Sequence, residues 1–112
     1  RYFRVVAPGR SAVLMDAPPD KEDIGPFVRV ADYLHGIGLA APRIFARDLE
    51  SGLLLLEDFG DVRMRETVDA ATDRERAIYA GVVDVLVELH RHAPPAGLKP
   101  HGLATWLDEV RL

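Results

Sequence analysis

Two adjacent carboxylates, Glu57 and Asp58, directly follow four consecutive leucines and precede an aromatic residue and a glycine. One interpretation is that they are polar residues at the point where a buried strand reaches the surface. The other gives the chemistry to the main chain, because a backbone carbonyl and amide at the end of a rigid strand are pre-organised to pair with the edge of an adenine base. The residue types alone leave both interpretations open.

Histidine pairs can hold a metal ion, and His90 and His92 lie close together in the chain. Residues two apart on a helix point to different faces, so these two imidazoles are not expected to share a metal. Positive charge is favourable near the C-terminus of a helix, which accounts for both as surface histidines. The chain also lacks the glycine-rich phosphate loops GxGxxG and GxxxxGK[ST].

The composition excludes several classes of protein. The chain has 112 residues, 48% hydrophobic and 29% charged, which is ordinary for one globular domain or a piece of one. Its formal net charge of -4 gives no overall basic field for nucleic acid or an anionic membrane, although Arg1, Arg4 and Arg10 make the start locally basic. The absence of cysteine excludes thiolate chemistry and fits a reducing compartment, so we expect a cytoplasmic protein. Apolar runs are far shorter than the ~20 residues that cross a bilayer.

The residues before position 60 predict two β-hairpins. Aromatic and β-branched residues over 2–7, a Pro-Gly turn and a second apolar run over 12–15 predict the first hairpin. Residues 42–47 and the leucine tetrad at 53–56 predict the second. An unbroken apolar tetrad is too short for a helix of its own, so we expect a central, fully buried strand.

Helices are predicted between the hairpins and after them. Apolar residues at helical spacing predict a helix over 26–37, opened by proline and covering one face of the sheet. Beyond the tetrad we expect a short helix over 62–68, and a longer one that is capped by Asp73 and runs to Arg91. A last helix is expected over 103–112. Sheet with one helix, followed by a helical region, is an α+β arrangement.

Several strings of residues, together with the order of elements, resemble one family. They lie at 1–4, 13–19, 41–44 and 48–60. They are similar to the aminoglycoside phosphotransferase-like kinases. More narrowly, they are similar to the bacterial branch that phosphorylates the anomeric hydroxyl of the cell-wall amino sugars N-acetylmuramate and N-acetylglucosamine. The string Met-Asp-Ala-Pro-Pro is typical of that branch, and Leu-Leu-Leu-Glu-Asp-Phe-Gly is typical of the wider superfamily.

The resemblance implies a protein-kinase-like small lobe over 1–60, an antiparallel sheet plus one helix that lacks its first strand. A hinge would connect it to the first helices of a helical large lobe over 61–112. It also implies ATP at the hinge, with adenine held by the backbone of Glu57 and Phe59. The residues that we assign to the nucleotide are Leu56, Glu57, Asp58, Phe59, Gly60, Met15, Arg1 and Arg4.

The phosphate end of the site departs from the family pattern. Kinases place a lysine on the third strand to pair with the nucleotide phosphates, and the matching position here is Met15. Lys21 is the only lysine before the helix, and the helix at 26–37 contains no partner glutamate. Because methionine cannot make the charged contact, we expect Arg1 or Arg4 to contact the phosphates instead.

The resemblance places the catalytic base and the Mg²⁺ ligands beyond residue 112. His101-Gly102 is similar to the start of a kinase catalytic loop, but Leu103 stands where the aspartate is needed, and the chain has no asparagine for the metal. We therefore expect no catalytic or metal-binding residue within the chain. The expectation is the N-terminal portion of a longer phosphotransferase, inactive alone.

The expected reaction is ATP-dependent phosphorylation of a hydroxyl, with a cell-wall amino sugar as acceptor. An aminoglycoside-type antibiotic kinase is an alternative that nothing in the sequence excludes, and a non-catalytic pseudokinase or interaction module is a third, which Met15 favours. The expected partners are a nucleotide and a sugar or aminoglycoside acceptor, with neither nucleic acid nor membrane. Truncation would expose Trp106, Leu107 and Val110, so we also expect self-association through this helical face.

Overall fold

The computed structural model describes residues 1–98 and 100–111. The four strands are β1 (Tyr2–Ala7), β2 (Arg10–Asp16), β3 (Ile44–Asp48) and β4 (Leu53–Glu57). The helices are α1 (Gly25–Gly36), α2 (Met64–Ala70), α3 (Glu75–His90) and α4 (Leu103–Val110), with a short 3-10 turn at Thr72–Arg74 before α3. No helix in these two ranges is long and apolar enough to span a membrane.

The strands form one antiparallel sheet in the order β1-β2-β4-β3. Strands β1 and β2 make the first hairpin and β3 and β4 the second, so both predicted hairpins are confirmed. The two hairpins join where β2 pairs with β4. The tight connection before β4 uses Gly52 at φ 71°, a conformation that glycine adopts without steric cost.

The prediction of a fully buried leucine tetrad is wrong for half of its side chains. Strand β4 is central in the sheet, but only Leu54 and Leu56 are buried, with 0% and 4% of their surface exposed. Leu53 and Leu55 are partly exposed. Successive side chains on a strand point to opposite faces, and a helix covers only one face of this sheet.

Helix α1 covers that face, as predicted, and begins with proline in its first turn. Val28 of α1 packs with residues of β2 and β4 in a single core, and Ala31 is also buried. The core contains Met15, Ala17, Ile24, Val28, Leu54 and Leu56. The opposite face of the sheet remains open, with Val5, Phe45 and Leu55 lining a shallow cavity of about 520 Å³.

The helices after the sheet lack a core of their own. Within the described residues, α2, α3 and α4 contain no buried side chain. The predicted cap at Asp73 is wrong, because Asp73 lies in the 3-10 turn and α3 begins at Glu75 without a side-chain cap. Arg74, the residue before α3, already has helical dihedral angles, whereas a capping side chain needs an extended residue there.

Candidate functional site

The candidate site lies where β4 ends and the chain crosses to α2. We call residues 57–61 the connector. Glu57 closes β4, and its N–H donates to the Arg43 carbonyl at 2.8 Å. Its carboxylate accepts the Arg43 N–H at 3.1 Å. The Glu57 side chain therefore holds the start of β3 against the end of β4.

Asp58 is an almost fully buried carboxylate, with 6% of its side chain exposed. It accepts hydrogen bonds from Arg4 on β1, with Nε at 2.8 Å and Nη2 at 3.1 Å. It also accepts the N–H of Gly60 at 2.9 Å, which closes a tight turn around Phe59. Gly60 has φ 77°, so this turn depends on glycine.

Asp61 binds the outer side of the same guanidinium. Arg4 Nη1 lies 2.8 Å from one Asp61 oxygen, and Nη2 lies 2.9 Å from the other. The Asp61 side chain is 84% exposed and that of Arg4 is 41% exposed. The planar arginine thus bridges an inner and an outer carboxylate, and Arg4, Asp58 and Asp61 form what we call the Arg4 bridge.

The electrostatics of the Arg4 bridge keep all three groups ionised. Hydrogen bonds from Arg4, then from the Ser11 hydroxyl and the Gly60 N–H, lower the pKa of Asp58 to about 2. Hydrogen bonding to Arg4, followed by its positive charge, lowers the pKa of Asp61. Its carboxylate partners, Asp61 first, raise the pKa of Arg4 above its ordinary value.

The structure brings some of the predicted site residues together and separates others. Arg4 pairs with Val13, and Val13 pairs with Leu56, so all three lie in one row across the sheet. Leu56 is buried behind the connector, whereas Phe59 is 61% exposed in front of it. Met15 is 7% exposed and belongs to the core beneath α1.

The two arginines proposed for phosphate lie in different surroundings. Arg4 is bound to the connector by four hydrogen bonds. Arg1 lies at the other end of β1, where its carbonyl accepts the Asp16 N–H at 2.9 Å. There it lines a cavity of about 390 Å³ that also receives Lys21, together with the acidic residues Asp16 and Glu22.

Sequence reasoning did not predict that Asp61 and Ser11 belong to the site, or that the Asp58 carboxylate pairs with Arg4. Arg4 is 54 residues from Asp58 and 57 from Asp61, so no local pattern reveals their pairing. The sequence signal that could have revealed the pairing is the Asp-x-x-Asp spacing of Asp58 and Asp61, taken together with the arginine on β1. That signal is weak because surface carboxylates are common.

No metal centre emerges among the described residues, which contain no group of three His, Asp or Glu side chains placed to hold an ion. His90 Nδ1 lies 2.7 Å from the Leu86 carbonyl. His92 Nε2 lies 3.2 Å from Glu88. The two imidazoles therefore contact different groups.

Comparisons with known proteins show a matching family and several similar proteins. Residues 1–112 match the pattern of the APH family, described as the phosphotransferase enzyme family. The N-acetylmuramate/N-acetylglucosamine kinase of Pseudomonas putida is 37% identical over 112 residues, which is 100% of this chain and 32% of that protein. The kinase of the same name from Pseudomonas aeruginosa is 58% identical over 60 residues, 54% of this chain and 18% of that protein.

A third relative of the same name, from Caulobacter vibrioides, is 38% identical over 80 residues, which is 71% of this chain and 22% of that protein. The chain thus spans about a third or less of the length of these curated relatives. The predicted α+β arrangement and the predicted family are both confirmed. Together with the match over residues 1–112, this similarity shows that the chain belongs to the phosphotransferase enzyme family.

Proposed function

We propose that this chain forms the nucleotide-binding portion of an ATP-dependent kinase that phosphorylates a hydroxyl of a cell-wall amino sugar. The observation that carries the proposal is the similarity of all 112 residues to a kinase named for N-acetylmuramate and N-acetylglucosamine. Residues 1–60 would act as the small lobe and 61–112 as the start of a helical lobe. Such a kinase would work in the cytoplasm, which supplies ATP.

The connector fits the edge of an adenine base. Within residues 1–98 and 100–111, the Phe59 N–H donates to no other group, which leaves it available to a ligand. The Glu57 carbonyl and this N–H would supply an acceptor and a donor on one stretch of main chain. Leu56 and Val13 would form the apolar wall behind the base, since both lie on the face that α1 covers.

The phosphates of the bound nucleotide would extend away from the connector, toward the start of β1. Arg1 and Lys21 line the same cavity there and would supply positive charge. Met15 has no charge to offer, and Arg4 is already bonded to two carboxylates. ATP itself would supply the phosphoryl group, so this chain's task would be to bind and orient the nucleotide.

The described residues do not fit a Mg²⁺ site, so no step of the reaction is assigned to a metal held by this chain. We propose that the catalytic base and the metal ligands lie in the part of the relatives that this chain does not span. Residues 1–112 alone would then bind nucleotide without turnover. Phosphorylation of an amino sugar by these residues alone would contradict this part of the proposal.

A non-catalytic interaction module is the second candidate. Burial of Met15 at the position of the usual lysine favours it, because that position then contributes packing and no contact with phosphate. An aminoglycoside-type kinase is a further alternative within the same class. Exposure of Trp106, Leu107 and Val110 supports self-association through α4 in either case.

Titration with ATP and Mg²⁺, followed through backbone amide resonances, tests the nucleotide site. The proposal expects saturable shifts at Glu57, Phe59 and Gly60, with small changes in α3. Absence of shifts at the connector would contradict it. Phosphorylation assays of the whole protein with N-acetylmuramate and with an aminoglycoside, side by side, separate the two acceptor classes, and inactivity toward both despite ATP binding would favour the non-catalytic module.

A further inference from the structure

We infer that Arg4 and Asp58 are positioning residues, whose ion pair holds the connector in the conformation that presents its main chain to the nucleotide base. The inference rests on the proposed function and deepens it. It assigns a role to two side chains that contact neither the transferred group nor the phosphates.

The geometry of the Arg4 bridge leaves its arginine little freedom. Four hydrogen bonds of 2.8 to 3.1 Å occupy Nε, Nη1 and Nη2 of Arg4. A planar guanidinium held at both edges is fixed in its position and its orientation. Because Arg4 is anchored within β1, the bridge fixes the connector relative to the sheet.

Burial makes the contact between Arg4 and Asp58 more important for holding the connector than the contact between Arg4 and Asp61. Asp58 is 6% exposed whereas Asp61 is 84% exposed. A buried carboxylate is tolerated only when it is paired and hydrogen-bonded. The connector therefore cannot swing away from β1 unless Asp58 loses its partner or carries its charge into water, whereas Asp61 can leave at little cost.

The same carboxylate also shapes the main chain that would face the ligand. Oδ1 of Asp58 accepts both Arg4 Nη2 and the Gly60 N–H. Phe59 lies between Asp58 and Gly60, which these hydrogen bonds hold in place, so the direction of the Phe59 N–H is fixed. A donor fixed before the ligand arrives spares the cost of ordering it on binding.

The assigned role also explains why an arginine occupies this position of the sheet. Val13 and Leu56, its neighbours in the same row, are apolar and face α1. A charged side chain in that row is compatible with the fold because its head group reaches the connector. Arg4 would thus cover the base pocket with its aliphatic stem and fix the pocket's rim with its guanidinium.

The test compares two arginine-to-methionine variants of the whole protein. Arg4→Met should raise the dissociation constant for ATP by about tenfold, since several charge-assisted hydrogen bonds that order the site are lost. Arg10→Met removes an arginine at the hairpin turn of β2 and should change it by less than about twofold. Isothermal titration calorimetry gives both values.

Two further measurements separate positioning from general destabilisation. Hydrogen exchange of the Gly60 amide should accelerate in Arg4→Met at a temperature where core amides, such as that of Leu54, keep their wild-type protection. Asp58→Asn, a milder change whose amide oxygen can still accept the Gly60 N–H, should raise the dissociation constant for ATP by about threefold. It keeps the test informative if Arg4→Met does not fold.

The outcomes distinguish this inference from the proposed function. If the wild-type protein binds no ATP, the proposed function fails, and unchanged Gly60 exchange in Arg4→Met would show separately that the ion pair does not hold the connector. If the wild type binds ATP and Arg4→Met binds equally well, the inference is overturned and the proposed function stands. A lower melting temperature with unchanged ATP affinity would likewise overturn it.

Discussion

The sheet half of the molecule and its helical half differ in how they bury apolar side chains. All the buried hydrophobic residues of the described chain lie within 1–60, where one helix packs on a four-stranded sheet. Residues 61–98 and 100–111 contain none, although α3 and α4 are rich in valine and leucine. The first half makes its own core, and the second presents apolar faces that need a covering surface.

Apart from the hydrogen bonds between Arg4 and Asp61 at the connector, the contact between the halves is thin. Tyr33 of α1 donates its hydroxyl to the Ala93 carbonyl at 2.8 Å, and an apolar groove of about 550 Å³ remains between α1 and the end of α3. Full burial of a valine or leucine side chain contributes about 1.5–3 kcal/mol. The sheet half is thus expected to dominate the free energy of unfolding.

The largest effect is expected from a matched pair of leucine truncations. Leu54→Ala removes a side chain with 0% exposure and should lower the free energy of unfolding by about 3 kcal/mol. Leu86→Ala, at a position 48% exposed on α3, should lower it by less than about 1 kcal/mol. Urea unfolding followed by circular dichroism measures both values.

Equal losses of unfolding free energy in the two leucine variants would contradict the difference between the halves, because they would show that the Leu86 side chain of α3 is packed as closely as that of Leu54. If Leu54→Ala does not fold, Leu54→Val offers a smaller change, expected to cost about 1 kcal/mol.

A second pair of substitutions should change the stability of the protein in opposite directions. An alanine Cβ at Gly52 would overlap the Ala17 carbonyl oxygen, and the position has φ 71°, so Gly52→Ala should destabilise the protein by about 2 kcal/mol. At Gly81, inside α3, a Cβ meets nothing within 4 Å, so Gly81→Ala should stabilise the protein by about 0.5–1 kcal/mol through helix propensity. Thermal melts of the two variants provide the measurement, and a destabilising Gly81→Ala would reveal close packing against α3.

Acid sensitivity should be concentrated in the Arg4 bridge. The pKa of Asp58, about 2 in the folded protein, lies below the value of an unfolded aspartate, so the folded state binds fewer protons than the unfolded state. Its stabilisation is complete above about pH 4 and is lost as the pH falls toward about 2. Asp58→Asn should therefore be less stable near neutral pH and should lose less stability than the wild type on acidification.

The control for that pH profile lies in the helical half. Hydrogen bonds to His92 and then to Arg91 also lower the pKa of Glu88, but its side chain is 41% exposed, and solvent weakens such pairs. Free energies of unfolding measured at several pH values should show Glu88→Gln running parallel to the wild type. A flattened profile in Glu88→Gln, with an unchanged one in Asp58→Asn, would reverse the assignment.

The smallest effect concerns the single tryptophan. Trp106 on α4 is 57% exposed and packs edge-on against His101, with ring centroids 4.7 Å apart. Its fluorescence should change little when the sheet unfolds, while circular dichroism reports a large transition. At protein concentrations high enough for the proposed self-association through α4, the emission should be blue-shifted, and that shift should be lost on dilution.

The sequence predicted the elements of the sheet half well because their signals are local. The Pro-Gly turn, the Gly-Pro helix start and the alternation of apolar runs with turns each act within a few residues, and the hairpins and α1 lie close to their predicted places. The tetrad was harder, because four leucines do not reveal which face of a sheet is covered. The covered face depends on the position of α1, and among residues 1–98 and 100–111 no helix covers the face that carries Leu55.

The candidate site was predictable only where it follows from the end of a strand. The residues from Leu56 to Gly60 predicted that a connector follows the tetrad. Its role toward a nucleotide stays a prediction. The Arg4 bridge joins residues more than fifty positions apart, and the cost and gain of burying Asp58 depend on a contact that only the folded sheet creates. The wrong prediction of a cap at Asp73 has a local cause, because it depends only on the backbone conformation of Asp73 and Arg74.

The order of strands in the sheet has a consequence for synthesis on the ribosome. Strand β4 is the last of the four to be made, yet it lies between β2 and β3 and supplies Leu54 and Leu56 to the core. At ~5–20 residues per second, roughly 2–8 s separate the synthesis of Met15 from that of Leu56. During that interval the first hairpin and α1 lack the two leucines that complete their shared core, so we expect the nascent chain to be most prone to chaperone binding and aggregation before its central strand emerges.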